Sequence, residues 1–232
     1  MAVVPSAAGE LPGDPSASAA QPARDVPAPA PALEPSLERA RELSRDHNLI
    51  ALRHSFIEDC ETPVSAFLKL RALAPGGPAF LLESADQGQR VGRWSFIGFR
   101  PRAVLRWSLG DDGDPYALAA EAVARFDQAP MADAPPFTGG AVGFFGYDLV
   151  RAVEPLGDAP PDPLGLPDMA LMLSDALVVF DHLKHTVTII ANADLHAEPD
   201  IDGAYAAAAR TIAEVRAVLA GPVPRPSAPA AA

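Results

Sequence analysis

The segment Phe80-Leu81-Leu82-Glu83-Ser84 ends an apolar run with a carboxylate and a hydroxyl, and Arg90, Arg93 and Trp94 follow shortly after. A carboxylate, a hydroxyl, a guanidinium and an aromatic ring held close together are what recognition of a zwitterion needs. Glu83 would take an ammonium, Ser84 or an arginine a carboxylate, and the strand side chains would wall an apolar ring. The same residues also read as a strand running into a polar hairpin, with no ligand at all.

Other chemistry-bearing groups have simpler accounts. Gly139-Gly140-Ala141-Val142-Gly143-Phe144-Phe145-Gly146 has neither the Gly-Lys-Ser/Thr of a phosphate-binding loop nor a dinucleotide glycine spacing. Glycines inside a strand mark close backbone approach or a bulge, so packing is the first reading and contact with a ligand or partner domain the second. His182 and His185 flank an expected hairpin turn with no carboxylate or cysteine to complete a metal set. Asp111-Asp112-Gly113-Asp114 lacks the spaced ligands of a calcium loop and reads as a turn. The acidic run Glu58-Asp59-Cys60-Glu61 precedes a helix start, where the helix dipole favours negative charge. No nucleophile elbow and no Ser/His/Asp set stands out, so the residues by themselves show no catalytic apparatus.

Composition narrows the classes further. Eighteen basic against thirty acidic residues give a net charge of −12, without the Lys/Arg cluster that nucleic-acid binding requires. No long apolar stretch suggests a membrane span, and the N-terminus lacks the pattern of a secretion signal. Cys60 is the single cysteine, which excludes an intrachain disulfide and a thiolate cluster. The simplest expectation is a reduced, cytoplasmic protein. Residues 1–35 hold eight of the 26 prolines and 221–232 four more, so both ends are expected to be disordered or linker segments flanking a folded region at 36–220.

The elements that must position these groups follow from periodicity and turn chemistry. Helices are expected at 36–46, from Thr62-Pro63 onward with Val64, Phe67, Leu68 and Ala72 facing the core, and at 115–127 with Tyr116, Ala119, Val123 and Phe126 inward. Ile201, Tyr205, Ala208, Ile212, Val215 and Leu219 form the stripe of a long amphipathic helix. Strands are expected at 49–56, 79–85, 94–99, 103–109 and 139–147. The three runs 79–85, 94–99 and 103–109 should pair in sequence, antiparallel. A further hairpin should join 169–180 to 185–193, its run Ala176-Leu177-Val178-Val179-Phe180 covered on both faces. Strands and helices mixed without β-α alternation give an α+β fold with largely antiparallel sheets and flanking helices.

Four segments occur in an order that resembles the N-terminal region of anthranilate synthase component I. They are Glu61-Thr62-Pro63-Val64-Ser65-Ala66-Phe67-Leu68-Lys69-Leu70, Phe80-Leu81-Leu82-Glu83-Ser84, Gly92-Arg93-Trp94-Ser95-Phe96-Ile97-Gly98, and the stretch at 136–151 that contains the glycines. The resemblance implies a family that converts chorismate to anthranilate with Mg²⁺, using ammonia from a glutamine amidotransferase partner, under feedback inhibition by tryptophan. It places chorismate and Mg²⁺ in a C-terminal chorismate-binding domain, so no catalytic residue, metal ligand or cofactor site is expected within this chain. It also implies a partial tryptophan site at Leu82, Glu83 and Ser84, with Arg93 the candidate basic residue. The alternatives are the related aminodeoxychorismate synthase component I and a stand-alone amino-acid-binding or interaction domain.

Overall fold

The computed structural model describes residues 32–85, 91–158 and 161–224. Of the expected tails at 1–35 and 221–232, residues 1–31 and 225–232 lie outside them, as do Arg90 and the turn Gln87-Gly88-Gln89. Glu34, ahead of the expected boundary at 36, bridges the backbone of Arg53, and its carboxylate accepts from the Arg53 guanidinium.

Local capping signals place three helices. Ser36 caps α1 (Leu37–Leu43), Thr62 caps α2 (Pro63–Arg71) and Asp114 caps α3 (Pro115–Ala124), each side chain accepting from a backbone N–H of the first turn. At α2 the cap is reciprocal: the Ser65 hydroxyl accepts from the Thr62 N–H at 3.0 Å while Thr62 Oγ1 accepts from the Ser65 N–H at 3.1 Å. The fourth helix, α4 (Ile201–Leu219), buries Ala204, Ala208, Ile212, Val215 and Leu219, close to the stripe read from spacing.

Eight strands form two antiparallel sheets. One has the order β1 (Leu49–Ile57), β8 (Thr186–Asp194), β7 (Ala176–Asp181), β3 (Val91–Phe99), β2 (Ala79–Ala85). The other is β4 (Ala103–Trp107), β6 (Met169–Ser174), β5 (Gly140–Phe145). One face of the larger sheet, with Leu52, Ile97, Val178 and Ile189, packs against α1, α2 and α4 through Ala40, Leu70, Ile212 and Val215. Its other face, with Phe80, Leu177, Val179 and Ile190, meets Phe137, Val142 and Met172 from the smaller sheet and its approach. Every residue of β7 is buried, as a strand covered on both faces requires. The α+β class and the antiparallel pairing are as expected.

Four expectations need correction. β3 does not turn back to pair with β4: Arg100 adopts φ of 44° ahead of Pro101, and β4 crosses to the smaller sheet to pair with β6. The run 169–180 is two strands in different sheets, broken at Asp175. Arg102 holds that crossing, its guanidinium bridging Asp175 and Asp194. In α2 the buried side chains are Ala66, Lys69 and Leu70, whereas Val64 and Leu68 are exposed, so the helix is rotated from its expected face. The inward face carries the apolar Ala66 and Leu70, and Lys69 joins it through an ion pair with Glu61 and a hydrogen bond to the carbonyl of Leu219. In α3, Ala119 packs onto the cluster of Trp107, Leu149, Met169 and Leu171, while Tyr116 and Val123 stay exposed.

Candidate functional site

The candidate residues lie on the edge of the larger sheet as formed by the described residues. β2 ends the strand order and pairs with β3 in a ladder running Phe80↔Gly98, Leu82↔Phe96 and Glu83↔Ser95. Phe80 and Gly98 fit because there is no side chain at 98: an added methyl carbon would lie 2.2 Å from the Phe80 ring. The ladder shifts register between Glu83 and Ala85, at Ser84. Ser84 belongs to β2, but its side chain lies outside the described part of the structure.

Strand alternation separates what the sequence places side by side. Leu82 shares a face with Phe96 and Trp94, and that face carries the aromatic contacts: Trp94 stacks on Phe96 at 6.4 Å, and Phe137 meets Phe96 edge-on at 5.9 Å. Glu83 shares the opposite face with Ser95. An open groove of about 560 Å³ runs over the edge between them, lined by Leu81, Leu82, Glu83, Arg93, Trp94 and Phe96. Because β2 is the edge strand, a molecule in this groove can lay an apolar ring on Leu82 and Trp94 and still reach Glu83 around the edge.

Arg93 is committed before any ligand arrives. Its Nε and Nη2 donate to the two carboxylate oxygens of Asp181 at 3.0 and 2.8 Å, and its guanidinium carbon lies 4.5 Å from the centre of the Trp94 ring. The Arg93 hydrogen bonds lower the pKa of the Asp181 carboxyl, with help from the N–H groups of Lys184 and Leu183. An unfolded aspartate titrates near about 3.9. A depressed folded value means that this pair adds stability above that pH and loses it as pH falls through the folded value. Arg93→Gln removes the partner, so its urea midpoint should fall less than that of the parent chain between about pH 6 and about pH 3. Equal falls would show that the pair contributes nothing to acid stability.

Two residues that sequence reasoning passed over complete the cluster. Ser95 is buried at 2% exposure within an otherwise apolar strand, and its hydroxyl lies 2.8 Å from His182 Nε2. It also reaches the Glu83 carboxylate at 3.5 Å. The available signal was a lone serine between Trp94 and Phe96, since a buried hydroxyl must find a partner. His182 was expected on a solvated turn. It does open that turn, half-buried, and its backbone N–H donates to the Arg93 carbonyl at 2.9 Å, which sets the imidazole over Phe180 and against Ser95.

Among the described residues no three His, Cys, Asp or Glu side chains come together as candidate metal ligands. Among them, too, no helix is long and apolar enough to cross a membrane.

Against known proteins, the model of the chorismate binding enzyme family matches residues 77–228. The chain belongs to the chorismate binding enzyme family. The match covers β2 through α4, including the candidate groove. Anthranilate synthase component 1 of Mycobacterium tuberculosis is 37% identical over 207 residues, 82% of this chain and 40% of that protein. The protein of the same name from Pseudomonas aeruginosa is 42% identical over 175 residues, 68% of this chain and 34% of its relative. The one from Acetivibrio thermocellus is 34% identical over 187 residues, 75% and 37% respectively. This chorismate-binding family member thus spans well under half the length of these relatives. A crystal structure of anthranilate synthase component I from Streptococcus pneumoniae superposes with a TM-score of 0.46 and 24% identity, over 74% of this chain and 37% of that one.

Proposed function

We propose that this chain is the regulatory and scaffolding portion of an anthranilate synthase component I. In this reading it is catalytically silent alone and contributes part of a tryptophan feedback site. The observation that carries the proposal is 34–42% identity to anthranilate synthase component 1 from three bacteria, over 34–40% of their length. Chorismate conversion to anthranilate, with Mg²⁺ and with ammonia from a glutamine amidotransferase subunit, is assigned to the remainder of such a protein. That remainder, the C-terminal chorismate-binding domain, is the principal partner, and the compartment is the cytoplasm.

The edge groove supports the effector half of this reading. Leu82, Trp94 and Phe96 offer an indole an apolar wall, and Glu83 is the carboxylate for its ammonium. Ser84 is assigned to the amino acid's carboxylate. Arg93, already paired with Asp181, supplies positive field there rather than a free guanidinium fork. An effector at a seam between two domains changes activity only through different affinities for two arrangements of them, and an edge-strand groove is suited to that.

Two measurements test the proposal. The purified chain, given chorismate, an ammonium salt and Mg²⁺, should produce no anthranilate fluorescence, and a growing signal would overturn the silent assignment. Titration calorimetry should show heat of binding with L-tryptophan and none with L-alanine. Identical traces for the two would remove the groove from tryptophan sensing.

A further inference from the structure

We infer that Ser95 and His182 are positioning residues for Glu83, forming a directed hydrogen-bond relay that keeps its carboxylate oriented toward a cationic amine. The ligand half of this inference rests on the reading of Glu83 as the acceptor for the amino acid's ammonium. The relay itself stands on the geometry of three side chains.

Glu83 and Ser95 are direct cross-strand partners, so their side chains leave the sheet on the same face. His182 follows the last β7 residue and reaches Ser95 from the other side at 2.8 Å. The serine hydroxyl has one proton to give and two neighbours that can accept it. If Ser95 donated to His182 Nε2, the Glu83 carboxylate would face oxygen lone pairs at 3.5 Å, an unfavourable approach. If Nε2 carries the hydrogen, His182 donates to Ser95 and Ser95 donates to Glu83, and all three groups are satisfied. The second arrangement is the one that uses both contacts of the serine hydroxyl. It makes the imidazole tautomer the element that directs the serine proton.

The fold gives this relay its precision. Ser95 is almost wholly buried, so water does not compete for its hydroxyl. His182 is held from both sides, by its backbone bond to Arg93 and by stacking on Phe180 at 6.3 Å. Glu83 is exposed at the sheet edge, where an unassisted glutamate would sample many rotamers. A long hydrogen bond of 3.5 Å from a fixed donor narrows that choice, as a supporting group prepares a binding carboxylate.

The test has two arms on the purified chain. Nitrogen-15 NMR of the imidazoles reads the tautomer of neutral His182 directly. The Nε2–H form is expected, with a measurable change in the His182 signals in Glu83→Gln. An Nδ1–H form, or no response to Glu83→Gln, overturns the relay whatever tryptophan does.

The second arm compares L-tryptophan with indole-3-propionate, which lacks the ammonium, by calorimetry. Ser95→Ala and His182→Phe should each weaken tryptophan about tenfold and leave indole-3-propionate unchanged. His182→Gln, whose amide restores a donor toward Ser95, should recover tryptophan binding. Equal losses for both ligands would mean that the substitutions only disturb the sheet, and would overturn the positioning role. If the parent chain binds neither ligand, the effector reading falls and takes the ligand half with it, while the tautomer still decides the relay.

Discussion

Lys69→Met should lower the unfolding free energy of the chain by about 3–5 kcal/mol, the usual cost of stripping one partner from a buried ion pair. Lys69 and Glu61 are both more than nine-tenths buried. The lysine ammonium pairs with Glu61 and also donates to the Leu219 carbonyl at 2.8 Å, at the C-terminus of α4, where the helix leaves carbonyls without partners. One side chain thus joins the start of α2 to the end of α4. Methionine fills the same volume but leaves a buried carboxylate with Ser65 as its remaining side-chain donor. Urea denaturation followed by circular dichroism reads the loss. The double variant Glu61→Leu/Lys69→Met should recover most of it, because an apolar pair of similar size needs no partner. A single variant within about 1 kcal/mol of the parent chain would mean that the pair is not held apart from water.

That pair also shows where sequence reasoning stops. Capping residues act over three or four positions, so Ser36, Thr62 and Asp114 could be read directly and their helices begin where expected. The α4 stripe and the β7–β8 hairpin are equally local patterns. The face of α2 is not local. Counting Val64 and Leu68 as apolar and Lys69 as polar puts the wrong side inward: Ala66 and Leu70 mark the buried face, and the partners that make Lys69 compatible with it include a carbonyl 150 residues away. At the crossing the polar pair Ser174-Asp175 interrupts the apolar run and was a local signal passed over, while the ion pairs that fix it, from Arg102 to Asp175 and Asp194, span 73 and 92 residues. In the candidate site, the period of two was enough to set Leu82 and Glu83 on opposite faces, a step the zwitterion reading of 80–84 did not take. The bond between Ser95 and His182 spans 87 residues and depends on β3 pairing with β7, so only the fold brings it into view.

The glycine-rich strand gives the second large effect. Gly143→Ala should destabilise the chain by about 3 kcal/mol, the upper end of overpacking costs. A methyl carbon there would sit 1.9 Å from the carbonyl oxygen of Ala170 and 2.8 Å from its carbonyl carbon. Both atoms belong to the backbone of β6, the strand that β5 pairs with, so no rotamer change relieves the clash and the two strands must separate. This is the close backbone approach that a glycine inside a strand signals. Gly98→Ala is the informative comparison. Its methyl carbon meets the Phe80 ring at 2.2 Å, nominally almost as tight, but that neighbour is a side chain able to swing, so its loss should stay at roughly 1–2 kcal/mol. Hydrogen exchange separates the two causes. Gly143→Ala should expose amides of β5 and β6 while those of β7 and β8 stay protected, since the smaller sheet takes the strain. If Gly98→Ala proved the costlier substitution, or if Gly143→Ala loosened both sheets alike, backbone contact at Ala170 would not be the reason for glycine at this position.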